Sequence, residues 1–506
     1  MSRSRVTSPP WEPESEKGLS VGSPLPMEKI GPQGTVTDYS PSQSFSCPDT
    51  SERTFDSDQP TDGHKSLVLA PQMRQVEDCL PLSAPKLACK ITDGPTLLIR
   101  RIANFQSQLP YSPLDALTTF FNSQWFFDYV LEKSDKASDH WYFKPMNYQK
   151  KRFRKDVVRR LQNSKTTRRI ALVGMSVLES FMTGDTSQNQ LHNHWIDHIQ
   201  GSLRSELGLD LEQSEAQERR SDFLYASILR MMVVHSSNTY QILRGVTPVF
   251  LQLAFSDPTL WSNANDIAYV PLWSLLTSET HEIAYFALLD CTCAMAFGLP
   301  QHVEYDTRIY SLPSYSSHQW SHNSPTEFQL VLADINACRD HSPNARDWKQ
   351  IERHLLTWQS RPGEYAFTES WMLVAWYAVQ ESWRLALLVY LYMAVCGAHS
   401  DDTRVQSCIK QLLQVLGTIK QKGSSNANPS FFIQYLIAGI CASMETHRKI
   451  VRDILSTLEG TRFWLIQASD FVPVLDHLWH GAAADGHPIT WADYVYSRGV
   501  ILPVSM

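Results

Sequence analysis

The segment SDDTRVQSCIKQLLQVLGTIKQKG, residues Ser400 to Gly423, carries the clearest structural pattern in the sequence. A serine and two aspartates suit the amino end of a helix, and two lysines followed by a glycine suit its carboxyl end. Between them, apolar residues recur every three or four positions, as on one face of a helix: Val405, Ile409, Leu412, Leu416 and Ile419. This spacing predicts an amphipathic helix with Ser400 as its N-cap.

Helix signals of the same kind recur elsewhere in the chain. Ser112-Pro113 and Ser324-Pro325 each resemble a helix start, with an acidic residue three positions after the serine. Thr490 is predicted to cap another helix near the carboxyl end. Alternating strand patterns are scarce, and no repeat of fixed length is evident. We therefore predict an all-α fold, a large irregular bundle of packed antiparallel helices.

The first part of the chain has a different composition. Residues 1–95 are rich in Pro, Ser, Thr and Asp, and too poor in apolar residues to offset the entropy of ordering a chain. We predict a disordered arm over 1–95 and an all-α domain over 96–506. The amino-terminal residues lack the apolar region of a signal peptide, so we expect no signal peptide there.

Charge and cysteine content limit the function classes. The formal net charge of −7 gives no global attraction to nucleic acid, so any DNA contact requires a local basic patch. Nine scattered cysteines indicate free thiols in a reducing compartment. The charge-free run Leu385 to Ala398 is shorter than the roughly 20 residues that span a bilayer, and it follows Arg384. We expect a buried helix there and no membrane association.

Catalytic and metal-binding motifs are incomplete. The segment GMSVL, from Gly174, lacks the last glycine of a nucleophile elbow, and HEIAY, from His281, lacks the second histidine of a zincin helix. Because no Gly-rich phosphate loop is present either, we predict that the protein is not an enzyme. Two histidine pairs have ligand-like spacing but no evident third ligand, His194/His198 and His477/His480. Cys291 and Cys293 are predicted to be buried structural thiols.

The most basic stretch is YQKKRFRKDVVRR, Tyr148 to Arg160. Phe153, Val157 and Leu161 are spaced as a narrow apolar helix stripe. Seven cations surround that stripe and are the candidate site: Lys150, Lys151, Arg152, Arg154, Lys155, Arg159 and Arg160. Three interpretations remain open: a solvated or intramolecularly paired helix face, a nuclear-import signal, and a patch that contacts nucleic-acid phosphates.

Four later segments together resemble the fungal-specific transcription factor domain, the helical regulatory region of zinc-cluster transcription factors. They begin at Pro271 (PLWSLLTSETHEIAYFALLDCTCAMAFGLP), Glu381 (ESWRLALLVYLYMAVCGAHSDDTRVQ), Pro429 (PSFFIQYLIAGICASMETHRKIVR) and Asp476 (DHLWHGAAADGHPITWADYVYSRGVILPV). The resemblance covers about residues 100 to 506. It implies an all-α nuclear regulator of transcription that is often dimeric and sometimes senses a small effector.

The chain departs from the family at its zinc cluster. That cluster needs six cysteines with paired C-x-x-C steps, whereas only Cys47, Cys79 and Cys89 precede the helical region. No zinc ligand is therefore assigned, and no cofactor is expected. Three explanations stay open: a lost 5′ exon, a regulator without its own DNA reader, and reuse of the domain.

The sequence thus predicts a nuclear regulator that acts through protein–protein contacts. Its expected partners are the transcription machinery or a DNA-binding protein, as a homo- or heterodimer, with weak or indirect contact to DNA. The alternative is a cytosolic helical enzyme or small-molecule-binding protein of unknown substrate. Trp371, Trp376 and Trp383 could line an effector cavity in either case, although packing in the core is the default interpretation.

Overall fold

The structure is a computed structural model in which the described residues belong to one compact unit, Val76–Met506. The described residues are 90, 92–108, 115–139, 143, 147–183, 185–262, 266–278, 280–309, 324–360, 370–419, 431–457 and 466–504. The predicted arm therefore lies outside the described residues, apart from Lys90 and 92–95. The predicted helix start at Ser112-Pro113 also lies outside them.

The described residues form eighteen α-helices and two very short strands. The first nine helices are α1 (Pro95–Gln108), α2 (Asp115–Phe121), α3 (Gln124–Asp139), α4 (Asn147–Asn163), α5 (Lys165–Thr183), α6 (Asn189–Leu207), α7 (Gln213–Val233), α8 (Thr239–Ser256) and α9 (Leu272–Thr277). The other nine are α10 (His281–Phe297), α11 (Thr326–Arg339), α12 (Trp348–Thr357), α13 (Ser370–Ala394), α14 (Thr403–Thr418), α15 (Phe432–Ile440), α16 (Glu445–Ser456), α17 (Val472–His480) and α18 (Trp491–Ile501).

Short elements connect these helices. Five 3-10 helices span Thr186–Gln188, Ser236–Asn238, Pro258–Trp261, Ala468–Phe471 and Ala484–Gly486. Strands β1 (Val270–Pro271) and β2 (Tyr305–Asp306) pair in parallel. Helices that follow one another along the chain, such as α6 and α7 or α13 and α14, pack side by side. The predicted all-α helical bundle is confirmed.

The amphipathic helix on which the sequence analysis began is α14. Its predicted stripe is buried at Val405, Ile409, Leu412 and Leu416. The predicted N-cap is wrong, because the side chain of Asp402 accepts the hydrogen bond from the Arg404 amide at 2.8 Å. The hydroxyl of Ser400 instead accepts from the Ile489 amide at 3.0 Å. Asp402 therefore caps the helix, and Ser400 contacts a distant part of the chain instead.

The two other predicted helix starts have different outcomes. At α18, Thr490 and Asp493 form a reciprocal capping box, as predicted. At α11, Pro325 is the N-cap and Thr326 is the first helical residue, one position later than the Ser-Pro pattern indicates. The hydroxyl of Ser324 accepts from the Gln329 side chain instead of capping the backbone.

Helices α10 and α13 form the centre of the bundle. Every residue of α10 from Glu282 to Phe297 is buried, and α10 packs against α7, α8, α9, α11 and α15. A helix that is apolar on all sides must be enclosed by other helices. Helix α13 is enclosed in the same way from Leu385 to Met393, the run that the sequence predicted to be buried, whereas Val374 near its start is exposed. Within the described residues, no helix combines the length and hydropathy needed to cross a membrane.

The carboxyl end of α10 shows how buried polar groups are satisfied. Gly298 ends the helix in the left-handed conformation, with φ of 61°. The guanidinium of Arg339 donates to the carbonyl of Ala294 at 2.9 Å and to that of Leu299. It also donates to the hydroxyl of Tyr390, at 2.8 Å. Arg339 therefore joins α10, α11 and α13 at the end of α10, where the Ala294 carbonyl also accepts from the Leu299 amide at 3.0 Å.

A close approach in α15 yields the first prediction. A β-carbon at Gly439 would lie 2.7 Å from the Leu475 side chain and 2.9 Å from that of Val451. Gly439→Ala should therefore lower the free energy of unfolding by about 1–3 kcal/mol. Gly201→Ala is the matched control, because Gly201 is helical with nothing within 4 Å of its added β-carbon. This control substitution should raise the free energy of unfolding by about 0.5–1 kcal/mol. Urea unfolding measures the free energy of unfolding of both variants. Equal changes in the two variants would contradict the close packing of Leu475 and Val451 against Gly439.

Candidate nucleic-acid interface

The basic stretch forms helix α4, which packs against α3 and α5. Leu161 is fully buried and Val157 is partly buried against the core, in agreement with the predicted apolar stripe. The side chain of Phe153, the third position of that stripe, lies outside the described part of the structure. The helix therefore has an apolar side that fixes it to the bundle.

The seven candidate cations fall into three groups. Lys151, Arg154, Lys155 and Arg159 are exposed, whereas Arg160 is half-buried. The side chains of Lys150 and Arg152 lie outside the described residues. Nine residues separate Lys151 from Arg160, which amounts to about two and a half helical turns, so these two side chains project in opposite directions. The run is therefore divided between an exposed face and a half-buried anchor.

Arg160 is the anchor of α4. Its guanidinium forms an ion pair with the Glu282 carboxylate of α10 and lies 4.0 Å from the Asp222 carboxylate of α7. It also lies over the ring of Tyr225, 4.7 Å from the centroid. Burial opposes the charge of Arg160, but Glu282, Tyr225 and Asp222 together raise its pKa above the usual range. The arginine therefore stays charged and holds α4 to two other helices.

The same cluster continues through Asp222, which is almost fully buried. One oxygen of its carboxylate accepts from the Thr167 hydroxyl at 2.6 Å and lies 3.6 Å from the Arg219 guanidinium. Arg219 also pairs with Glu206 of α6 at 2.8 Å. These contacts form one buried ion cluster that joins five helices, α4, α5, α6, α7 and α10. We define the cluster as Arg160, Thr167, Glu206, Arg219, Asp222 and Glu282.

Arg154 has a local partner instead. Its guanidinium donates to the Asp135 carboxylate of α3 at 2.7 Å. Both side chains are about half exposed. An exposed pair of this kind contributes at most about 1 kcal/mol, so it fixes the arginine only weakly. Arg154, like Arg160, is thus paired within the chain.

The zincin-like segment HEIAY belongs to this cluster. Its glutamate is Glu282, the partner of Arg160. Burial, assisted by the nearby charge of Arg160, lowers the pKa of His281 to about 4, so the imidazole is neutral at neutral pH. The ring of Tyr285 lies 4.7 Å from the His281 ring and is tilted by 36° against it. This segment therefore serves a structural ion pair.

The segment GMSVL also has a structural partner. Ser176 lies within helix α5, where its hydroxyl is 2.7 Å from Nε2 of His192 on α6 and 2.7 Å from the hydroxyl of Thr96 on α1. Ser176 and His192 are both fully buried. Burial lowers the pKa of His192 to about 4, an effect that Asp185 partly opposes. The serine and histidine therefore join three helices.

The remaining candidate residues lie apart from the basic helix. The first predicted pair, His194 and His198, is exposed on α6. In the second pair, Nδ1 of His477 lies 3.1 Å from the Ser497 hydroxyl. Nδ1 of His480 lies 2.7 Å from the Asp476 carbonyl. Among the described residues, no three His, Cys, Asp or Glu side chains are grouped as metal ligands.

Cysteines and tryptophans have mainly packing roles. Cys291 and Cys293 are buried, and burial raises the pKa of both thiols, as expected for structural cysteines. The six described cysteines are distributed along the chain from α10 to the end of α15, so they do not fit the paired-thiolate zinc cluster. Trp376 and Trp383 are buried in the core, and Trp371 packs against it.

Sequence reasoning missed the acidic partners of Arg160. Glu282 lies in an otherwise apolar run, and Asp222 directly precedes the apolar residues of α7. An isolated acid in a buried helix is a signal of pairing, because a buried charge without a partner is costly. The sequence could have indicated that both acids need cations. It could not identify Arg160, because the three residues are far apart along the chain.

Comparison with known proteins gives one positive result. A family model described as fungal-specific transcription factor domain matches residues 147–502. The matched range begins at the first residue of α4 and ends just after α18. No curated protein and no solved structure matches the chain. The basic helix and its buried ion cluster therefore lie within the matched domain.

Asp222 yields a prediction for pH dependence. Burial raises its pKa from 3.8 to about 6, although Thr167 and Arg160 act in the opposite direction. In this range the folded chain keeps the Asp222 proton that the unfolded chain has lost, so Asp222 lowers stability as pH rises from about 4 to about 6. The lowered pKa values of His192 and His281 act in the opposite direction over the same range. Asp222→Asn should therefore make stability rise more steeply with pH, by about 1–3 kcal/mol in total.

Urea unfolding at several pH values tests this prediction. The control is Gly201→Ala, which changes stability without changing an ionisable group and should keep the pH slope of the wild type. An unchanged slope in Asp222→Asn would contradict the assignment of this proton to the buried ion cluster.

Proposed function

We propose, from the premise that the chain belongs to the fungal-specific transcription factor domain family, that it is a nuclear regulator of transcription acting through protein–protein contacts. The observation that carries this proposal is the match over residues 147–502, which covers α4 to α18. Family membership indicates a transcription regulator. Nuclear localisation and the mode of action are the proposed parts.

The arrangement of buried polar groups supports this function over the enzyme or small-molecule-binding alternative. Asp290, for example, accepts from Nδ1 of His302 at 2.8 Å and from the Tyr305 hydroxyl at 3.1 Å, which fixes the loop after α10. Arg339 and Arg160 similarly connect helices. These groups have structural contacts that account for their burial.

DNA reading is the second part of the proposal. Because the described cysteines do not fit a zinc cluster, we propose that sequence is read by a partner protein or by a zinc cluster encoded in a missing 5′ exon. The partner would be a DNA-binding protein or a component of the transcription machinery. The chain would act as a heterodimer with such a protein or as a homodimer. Exposed apolar side chains such as Tyr496 and Val500, one turn apart on α18, offer surface for such contacts.

A tethering experiment tests this function without requiring the chain to bind DNA. The full chain is fused to an unrelated DNA-binding domain, and messenger RNA is measured from a reporter that carries the matching operator. We expect reporter output to change several-fold, in either direction, relative to the DNA-binding domain alone. A fluorescent fusion should accumulate in the nucleus.

The matched control is the fusion carrying Gly439→Ala, whose destabilised core should weaken the effect. Reporter output equal to that of the DNA-binding domain alone, from a folded fusion present in the nucleus, would contradict the proposed function.

A further inference from the structure

Two histidines stand about one turn apart on the exposed side of α6. His194 and His198 are separated by four positions in the sequence, and both side chains are exposed. Residues at this spacing lie on the same face of an α-helix, with their β-carbons about 6 Å apart. Within the described part of the chain, neither imidazole has a hydrogen-bond or ion-pair partner. We call these two residues the α6 histidine pair.

The packing of α6 fixes the spacing of the pair. The helix packs against α5 and α7, and on its other side it buries Ile196, Ile199 and Leu203. The backbone therefore holds the two β-carbons at a constant separation. Only the side-chain rotamers have to adjust for the two rings to meet at one ligand, and exposed side chains have several staggered rotamers available.

We propose that the α6 histidine pair binds a divalent transition-metal ion of the Zn²⁺ class. Imidazole is a preferred ligand of Zn²⁺, at a nitrogen–metal distance of about 2.0–2.1 Å. Tetrahedral coordination then places the two ligating nitrogens about 3.3 Å apart, which imidazoles on neighbouring turns can reach. Histidines four positions apart on a helix supply two of the zinc ligands in metalloproteases of the H-E-x-x-H type, so the spacing is compatible with one shared ion.

The surroundings of the pair limit the site to two protein ligands. Asp197 directly precedes His198, but Oδ1 of its carboxylate is paired with the Arg230 guanidinium at 2.8 Å. Arg230 also donates to the Gln200 side chain at 3.1 Å. Within the described residues, no three His, Cys, Asp or Glu side chains are grouped as metal ligands. Water would therefore fill the remaining coordination positions.

Histidines elsewhere in the bundle are held by the protein itself. His192 is buried, and its Nε2 lies 2.7 Å from the Ser176 hydroxyl. Nδ1 of His302 lies 2.8 Å from the Asp290 carboxylate. These rings have contacts that account for their positions, whereas the α6 histidine pair is exposed and unengaged. Availability for an external ligand thus distinguishes the pair.

The expected affinity follows from the number of ligands. Two of the four ligands of a structural zinc site should provide about half of its binding free energy, which corresponds to a Kd of about 1–200 µM. Cu²⁺ should bind more tightly than Zn²⁺, whereas Mg²⁺ prefers oxygen ligands and should not bind. This inference goes beyond the proposed function and does not depend on it.

The test is protection of individual histidines from diethyl pyrocarbonate in the purified full chain, measured by peptide mass spectrometry at increasing concentrations of zinc chloride. A ring nitrogen that binds the metal is not free to be acylated. His194 and His198 should therefore be protected together, with one midpoint between about 1 and 200 µM. Magnesium chloride should protect neither residue. His341, which is exposed after the end of α11, is the internal reference and should stay unprotected.

Two variants show whether the spacing is responsible. His198→Ala removes one ligand and should raise the midpoint for His194 by at least about tenfold. The matched control combines His198→Ala with Gly201→His, which restores the number of histidines but separates them by about 10 Å along the helix. Gly201 is exposed, with nothing within 4 Å of an added β-carbon, so the new side chain has room. His194 should be as poorly protected in this control as in His198→Ala, and circular dichroism verifies that both variants are folded.

Three results would overturn the proposal. They are no protection of the pair by zinc chloride up to about 1 mM, different midpoints for His194 and His198, and undiminished protection of His194 in the control with Gly201→His. The last result would show that single exposed histidines bind zinc on their own and that the one-turn spacing contributes nothing.

Discussion

The ion pair between Arg160 and Glu282 is the interaction on which the orientation of α4 depends. It joins a strongly basic helix to α10, which is buried from Glu282 to Phe297, and Asp222 extends the contact to α7. Breaking such a pair is costly, because the remaining charge is left in a poorly solvated site. A helix that would otherwise be attached by a narrow apolar stripe is therefore fixed in both position and rotation.

This anchoring shows that the charges of one basic run are divided between the interior and the surface. The charge of Arg160 is used inside the protein, and that of Arg154 is used on Asp135. The exposed Lys151 and Lys155 remain on the other side of the helix. A count of basic residues cannot distinguish buried, paired cations from exposed ones, because both kinds contribute the same residue types. The distinction comes from the helical repeat together with the positions of the acidic partners.

The sequence predicts local features of this fold well and distant contacts poorly. The stripe of α14 and the capping box at Thr490 are correct, because both depend on residues a few positions apart. The cap at Ser400 is wrong because its hydroxyl bonds to Ile489, a partner that no local pattern reveals. For the same reason, the basic run could be placed on a helix, but the role of Arg160 required the positions of Asp222 and Glu282.

The most direct test of this account is amide hydrogen exchange along α4 in Glu282→Gln, compared with the wild type and with Asp135→Asn. Glu282→Gln removes the buried charge that faces Arg160, whereas Asp135→Asn removes an exposed one. We predict that Glu282→Gln lowers the free energy of unfolding by about 2 kcal/mol and accelerates exchange in α4 more than in α13. Asp135→Asn should cost less than about 1 kcal/mol and leave this exchange unchanged. Exchange in α4 that is equally slow in Glu282→Gln and the wild type would contradict the anchoring role of Arg160.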